Sequence, residues 1–497
     1  MTSSSSSLCL VATPASTTPS LLEEPTMPPR LNTITVHTSL LFDPQRKSWL
    51  PNVSIQVNTQ TGAIVRLQHR NTSDLLSPFE PNDIDLRGKF VLPGFVDSHT
   101  HIFLRIERPH SQQMRDQSPV ERTVRATNHA RAALLAGYTT YRDLDTEALG
   151  NADANFRDCI NRGIIPGPRM FVATEALASS GGYEIRTENK LASGSSLGLS
   201  VPRAADTADG VVGVRAAVRR RVGEGADVIK FYGDYRRRTM RFPPDVPGPG
   251  GRILFPPERR NPAVLLFTQE EMDAIVAEAR MARMPVAAHT GETRTALMAA
   301  RAGVTSVEHI FEDSEGVMEE MFEEMARQGT IWVPTLMTAE AYYGGQDIFR
   351  WCKMAVKRAY DRGVRLAAGG DTGVMNHGLN VREMEIMIEA GIPVEDVLVA
   401  GTLTGWHACG GDACGFRFGW WDEGNRADII ALDADPRKDA RALRHVSFVM
   451  KDSRVWKRNG RPVDMIAATQ WPEEDRNTSD DSSDPTDFVP ESAVEEA

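Results

Sequence analysis

Two textures of hydrophobic patterning divide the chain. From Leu31 to Leu86 apolar residues come in short alternating runs: Ile34-Thr-Val, Val53-Ser-Ile-Gln-Val and Ile64-Val-Arg-Leu, with turn residues between them. Alternation with period two predicts half-buried strands. From Phe90 onward the apolar runs become continuous and alternate with longer segments of helical period. The runs Phe90–Asp97, Thr139–Asp143, Arg169–Thr174, Asp227–Tyr232, Pro285–His289, Thr305–Glu308, Ile331–Thr335 and Val364–Ala368 predict eight buried strands, the number that closes a parallel barrel. Between them, Thr268-Gln-Glu-Glu271 is a capping box that opens a helix with Met272, Ile275, Val276 and Ala279 on one face. Val120, Val124, Thr127 and Leu134 mark a second helical face ahead of the second strand. Short strands return at Asp428–Leu432, Val446–Lys451 and Val455–Lys457. The expected fold is an α/β protein: a (β/α)8 TIM-type barrel over residues 89–405, with a small β-sandwich domain built from both chain ends, 31–88 and 406–463. The stretch Asp234–Phe267, rich in Pro, Gly and Arg, breaks the alternation and is read as an insertion over the barrel mouth.

Composition adds limits. The formal net charge is −11, but the 27 residues from Trp471 to Ala497 hold ten acids and one Arg, so the remainder is close to neutral. The acidity describes a solvated tail over 464–497, and no basic face argues for nucleic acid. Residues 1–30 are rich in Ser, Thr and Pro and read as disordered. The apolar stretch Leu8–Ala12 is too short for a signal peptide, and no run approaches the roughly 20 apolar residues of a membrane helix. Five cysteines, odd in number and never spaced as CxxC, exclude a disulfide framework and a Cys-rich zinc site, although a Cys409–Cys414 bridge stays open. A reducing compartment, the cytoplasm, is the expected location.

The chemistry lies at the carboxyl ends of the predicted strands. In Leu92-Pro-Gly-Phe-Val-Asp-Ser-His99-Thr-His101 the two histidines are separated by one residue, so on a strand both project to the same side. Neutral imidazoles suit Zn²⁺ and similar ions. Alone, the pair fits two solvated loop histidines equally well. Lys230 ends the apolar run Ala-Asp-Val-Ile. It is either a snorkelling or ion-paired lysine, or a desolvated amine that takes up CO₂ to become an anionic carbamate ligand. His289 and His309 sit at or just beyond their strands' ends, and Asp371 stands in Gly-Gly-Asp-Thr-Gly. Each is unremarkable singly. Together His99, His101, Lys230, His289, His309 and Asp371 fall on strands one, four, five, six and eight, at the ends where barrel active sites form.

With these residues in place the sequence resembles the amidohydrolase superfamily. LPGFVDSHTH is similar to its strand-one signature, GADVIKFY to the strand-four segment whose lysine is carboxylated, and AAHTGE, SVEHI and GGDTG to the segments of strands five, six and eight. The resemblance spans about Thr33 to Val463. It is nearest to the members with a carboxylated lysine that cleave Xaa-Pro or other dipeptides, N-acyl amino acids and ochratoxin-type amides. It implies two divalent metal ions, expected to be Zn²⁺. His99, His101 and Asp371 would bind the more buried ion and His289 and His309 the other, with carboxylated Lys230 between them. A bridging hydroxide would attack the amide carbonyl, and Asp371 would pass its proton to the leaving amine.

Two departures bear on substrate. Tyr183, after Gly181-Gly182, stands where close relatives often have His, and the Asp234–Phe267 segment is long. Tyr183, Tyr232 and His377 are the expected substrate contacts. Packing for Tyr232 and turn stabilisation for His377 are the plain alternatives. The run Arg236–Arg238 either grips a substrate carboxylate or is solvated. The expected function is hydrolysis of a C–N amide bond in a small molecule, in an enzyme of secondary metabolism or detoxification. Deamination, lactone opening or decarboxylation on the same scaffold, and a non-catalytic scaffold, are the alternatives; a complete ligand set argues against the last. Homo-oligomerisation stays open.

Overall fold

The computed structural model describes residues 32–71, 80–106, 113–114, 116–182, 204–236, 263–313 and 315–465. The expected disordered N-terminal segment, nearly all of the acidic tail and most of the Asp234–Phe267 insertion therefore lie outside the described residues.

The chain opens with β1 (Thr33–Asp43), β2 (Ser48–Pro51), β3 (Val53–Asn58), β4 (Ile64–His69) and β5 (Ile84–Pro93). A parallel series follows: β6 (Phe95–Thr100), β7 (Tyr138–Asp143) and β8 (Arg169–Val172) form one sheet. The later parallel strands are β9 (Ala176–Ala178), β10 (Ala205–Thr207), β11 (Ile229–Tyr232), β14 (Val286–Glu292), β15 (Ser306–Glu312), β16 (Ile331–Val333) and β17 (Arg365–Leu366), in the order β10-β9-β11-β14-β15-β16-β17. Between them β12 (Asp234–Arg236) and β13 (Ala263–Leu265) pair antiparallel at the base of the insertion. Backbone bonds tie the two parallel sheets at both margins. Asp227 and Val228 N–H donate to Val172 O, and Ser98 N–H donates to Ala368 O.

The chain ends in β18 (Ile429–Leu432), β19 (Val446–Lys451), β20 (Arg454–Arg458) and β21 (Arg461–Pro462), which join β1–β5 in a nine-stranded sheet. Strand alternation gives this sheet two buried faces. Ile429, Ala431, Phe448 and Met450 pack with Val36, Ile55 and Val91, whereas Ile430, Leu432, Val446 and Val449 belong to the large core of the parallel strands and their helices.

Two details differ from the sequence reading. The run Phe90–Asp97 is not one strand. Phe90–Pro93 pairs with β1 and β18, and the parallel series starts only at Phe95. The break is Gly94, where a Cβ would stand 2.1 Å from Thr139 Oγ1. Periodicity cannot see this, because both strands are apolar. The helix Pro119–Leu135 exists, but its buried face is Ala126, Ala130, Ala133 and Leu134, while Val120 and Val124 are exposed. Small residues permit close approach to β7, and Arg122 on that side donates through its two Nη atoms to the carbonyls of Glu147 and Thr146. Cys409 and Cys414 are free thiols. The capping box at Thr268 and Glu271 forms as read, over a buried Met272-Ile275-Val276-Ala279 face. No helix among the described residues is long and apolar enough to cross a membrane.

Candidate active site

The parallel strands deliver their polar side chains at their carboxyl ends. β6 places His99 and His101 on one side with ring centroids 5.4 Å apart. β11 contributes Lys230, β14 His289, β15 His309, and the turn after β17 Asp371. All six line one cavity of about 390 Å³, together with Tyr232, Tyr235, Glu147, Asp234, Phe311, Glu312, Tyr342 and Tyr343. The size suits a small molecule.

The backbone is bent to make this convergence. His309 and Ile310 both have left-handed φ, +74° and +76°, and Asp371 has φ +54°. Such conformations cost a non-glycine residue free energy and concentrate at functional sites. At β15 the consequence is specific. On a regular strand Glu308 and His309 would face opposite ways. Here Glu308 points beneath His99 while His309 still lines the cavity.

Contacts set the direction of each ring. His99 Nδ1 is 2.9 Å from Glu308 Oε2, and its Nε2 is 3.6 Å from Asp371 Oδ1. His101 Nε2 is 3.2 Å from the same oxygen. His309 Nδ1 bonds Thr335 Oγ1 at 2.9 Å, and its ring lies 4.5 Å from that of His289. One ligand atom each from His99, His101 and Asp371 falls within 4.8 Å of the others.

Burial dominates the electrostatics. It holds His99, His289 and His309 well below the ordinary histidine pKa, so all three are neutral donors of lone pairs. Burial also acts against a proton on His101, but the Asp371 carboxylate outweighs it and raises His101 to about 9. Asp371 is opposed by burial yet held well below the usual carboxylate range by His101 and His99. Burial lowers Lys230 to about 8. Its ammonium nitrogen makes no hydrogen bond or ion pair among the described residues and sits 6.0 Å from the centroid of the Tyr232 ring. The donor set fits divalent cations: neutral imidazoles, an ionised carboxylate shared by two histidines, and a desolvated amine without an anionic contact.

The six expected metal-site residues are brought together. Tyr232 also lines the cavity, and its hydroxyl donates to Asp145 at 3.3 Å. His377 is not on the cavity wall. It is buried behind it, stacked on His129 at 4.4 Å and 3.5 Å from the Tyr141 hydroxyl. Its resemblance to a family position suggested proximity to the site, but the imidazole is buried in the protein interior. Tyr183, the Arg236 side chain and Arg237–Arg238 lie outside the described residues.

The sequence reading missed a supporting layer. Arg142 donates to Glu308 at 2.8 Å, with both side chains fully buried. Asp97 Oδ1 accepts from His99 N and Gly370 N, and Oδ2 from Thr372 Oγ1 and Asn380 Nδ2 at 2.6 Å, so one carboxylate ties β6 to the turn that carries Asp371. The available signal was the cost of burying a charge: Asp97, Arg142 and Glu308 all interrupt apolar strands.

Comparison with known proteins agrees with this geometry. The family model described as the amidohydrolase family matches residues 90–457. Ochratoxinase of Aspergillus niger is 28% identical over 450 residues, covering 82% of this chain and 84% of its own length. The crystal structure of a Xaa-Pro dipeptidase with methionine in its active site aligns with a TM-score of 0.67 and 26% identity, over 86% of this chain and 100% of that one. The A. niger ochratoxinase structure has a TM-score of 0.69 at 23% identity, over 86% and 96%. With the family match spanning every histidine, lysine and aspartate of the cavity, the chain belongs to the amidohydrolase family and is a hydrolase of carbon–nitrogen bonds.

Proposed function

We propose that this enzyme cleaves the amide bond of a small molecule, such as a dipeptide, an N-acyl amino acid or a related amide, at a centre of two divalent cations expected to be zinc. The observation that carries the reading is the convergence of His99, His101, Lys230, His289, His309 and Asp371 on one cavity. His99, His101 and Asp371 would hold the deeper ion and His289 and His309 the other. When bound, the ions supply an activated water and polarise the substrate carbonyl.

The chain's own groups do the rest. Lys230, lowered to about 8, is roughly a tenth neutral at pH 7. That neutral nitrogen can add to CO₂ and release a proton, giving a carbamate that serves both groups of ligands. Asp371 accepts the proton of the attacking water and returns it to the leaving amine. Two aromatic walls flank the histidines. Tyr235 stands 5.3 Å from His289, and Phe311 is stacked 5.7 Å from His309 with Tyr343 against it. Such walls favour an amide with an apolar or aromatic group beside the scissile bond.

The same proposal covers the scaffold. The parallel strands are read as one closed (β/α)8 barrel over 89–405, and the nine-stranded sheet as an accessory β domain from 31–88 and 406–463. The backbone bonds Asp227–Val172 and Ser98–Ala368 support closure at both margins.

The test is elemental analysis of the purified protein with a hydrolysis screen of the metal-loaded enzyme. Ochratoxin and Xaa-Pro dipeptides come first, given the relatives, then N-acyl amino acids and aromatic amides, with lactones as contrast. Close to two metals per chain are expected, and Lys230→Ala should lose at least one. A folded protein that takes up no metal would overturn the reading.

A further inference from the structure

Beneath the cavity floor lies a buried ion pair that touches no cavity space itself. Glu308 and Arg142 are both 0% exposed. Glu308 Oε1 accepts from Arg142 Nη2 at 2.8 Å and from Ser306 Oγ at 2.5 Å, leaving Oε2 for His99 Nδ1 at 2.9 Å. Arg142 is anchored in turn by Ser98 O at 2.6 Å, Ala408 O at 3.0 Å and Ser306 Oγ at 2.8 Å. These hydrogen bonds hold the carboxylate between β6, β7 and β15. Replacing such a pair by apolar residues commonly leaves a fold intact, so a buried pair is not retained for stability alone.

We infer that Glu308, held by Arg142 and Ser306, is a positioning residue for the deeper half of the metal centre. It fixes His99 with its proton on Nδ1 and its Nε2 lone pair toward Asp371. The inference rests on the metal reading above. Three observations carry it. A carboxylate acceptor on Nδ1 selects the tautomer whose free lone pair is on Nε2. That nitrogen is the one 3.6 Å from Asp371 Oδ1. And with left-handed backbone angles at His309 and Ile310, consecutive residues of β15 take two places, Glu308 beneath His99 and His309 on the cavity wall. His309 has its own orienting partner, Thr335 Oγ1. The two halves of the centre are thus oriented by separate devices: a charged one under His99 and a neutral one under His309.

The separation yields a selective test. Glu308→Gln keeps the shape and removes the charge. Because it strands Arg142, a second variant pairs Glu308→Gln with Arg142→Met, which leaves no unpaired charge. Metal content is measured by elemental analysis after dialysis against a graded chelator, alongside thermal unfolding, kcat and KM. Wild type should retain two metals per chain. Each folded variant should lose one of them at a chelator strength at least tenfold lower, a loss typical for partners of metal-bound histidines. The second metal should stay within threefold of wild type, and Thr335→Ala should show the reverse selectivity. kcat should fall with KM changed less than threefold. A folded double variant whose two metals are both released within threefold of wild type would overturn the inference while leaving the two-metal reading intact. A wild type without metal would instead remove the reading on which the inference rests.

Discussion

At the residue scale, the cavity depends on protonation states set by burial and by neighbouring charges. Asp371 sits between His99 and His101 and is the carboxylate nearest to both Nε2 atoms. If it also carries the proton between water and leaving group, Asp371→Asn should lower kcat by roughly 10²–10⁴-fold. A steady-state assay at saturating metal checks this, and a loss confined to KM would contradict the role. Glu383 offers a pH test away from substrate. Burial raises its carboxyl from 4.5 to about 8, against hydrogen bonds that include Met337 N at 2.7 Å. Between these values the folded protein keeps a proton that the unfolded chain releases, so stability linked to it is full below about 4.5 and is lost as pH rises through about 8. Glu383→Gln cannot titrate. Its melting temperature should therefore fall less than that of wild type between pH 6 and pH 9, as read by scanning fluorimetry.

At the scale of elements, the parallel strands and the convergence of six polar side chains on one cavity were legible because both obey simple periods. Continuous apolar runs mark strands buried on both faces, and a ligand at the end of a run needs only its position in the count. What was illegible depended on backbone geometry. Glu308 was assigned no role, and the left-handed angles at His309 and Ile310, which set His309 on the cavity wall while Glu308 lies beneath His99, cannot be read from a hydrophobic pattern. His377 resembled a family position near the site, but it is buried against His129. The boundary at Gly94 was marked by Pro93-Gly94, a turn signal masked by the apolar residues on both sides of it. That glycine carries its own prediction. A Cβ there would lie 2.1 Å from Thr139 Oγ1 and 2.4 Å from its Cγ2. Gly94→Ala should cost about 1–3 kcal/mol by overpacking. Adding Thr139→Ala should recover part of the loss but not all, because Thr139 Cβ itself would remain 2.8 Å away. Equal urea midpoints for the single and double variants would show that the clash is relieved by backbone movement instead.

Across the whole molecule, chemistry and cohesion occupy opposite ends of the same strands. The histidines, Lys230 and Asp371 of the cavity gather where the strands finish, whereas Arg169 at the start of β8 binds the nine-stranded sheet to the parallel series. Its guanidinium donates to Asp428 at 2.8 Å and to Asp452 at 2.7 Å, and Arg426 bonds the same Asp452. Phe418 lies 5.0 Å from it. Asp428 is almost wholly buried and Arg169 nearly so, so the pair is poorly screened by solvent. Removing one partner strands the other. Arg169→Met should therefore destabilise the protein by about 3–5 kcal/mol, whereas Arg169→Met combined with Asp428→Asn should recover part of that loss. The recovery stays partial because Asp452 loses one of its two arginines in either variant. Since none of these groups lines the cavity, kcat per folded molecule should match wild type in both variants. Urea unfolding followed by tryptophan fluorescence, with activity measured on the same samples, separates the two effects. A fall in kcat that tracks the loss of stability would mean that the sheet at the base of the strands also holds the ligands in register at their far end.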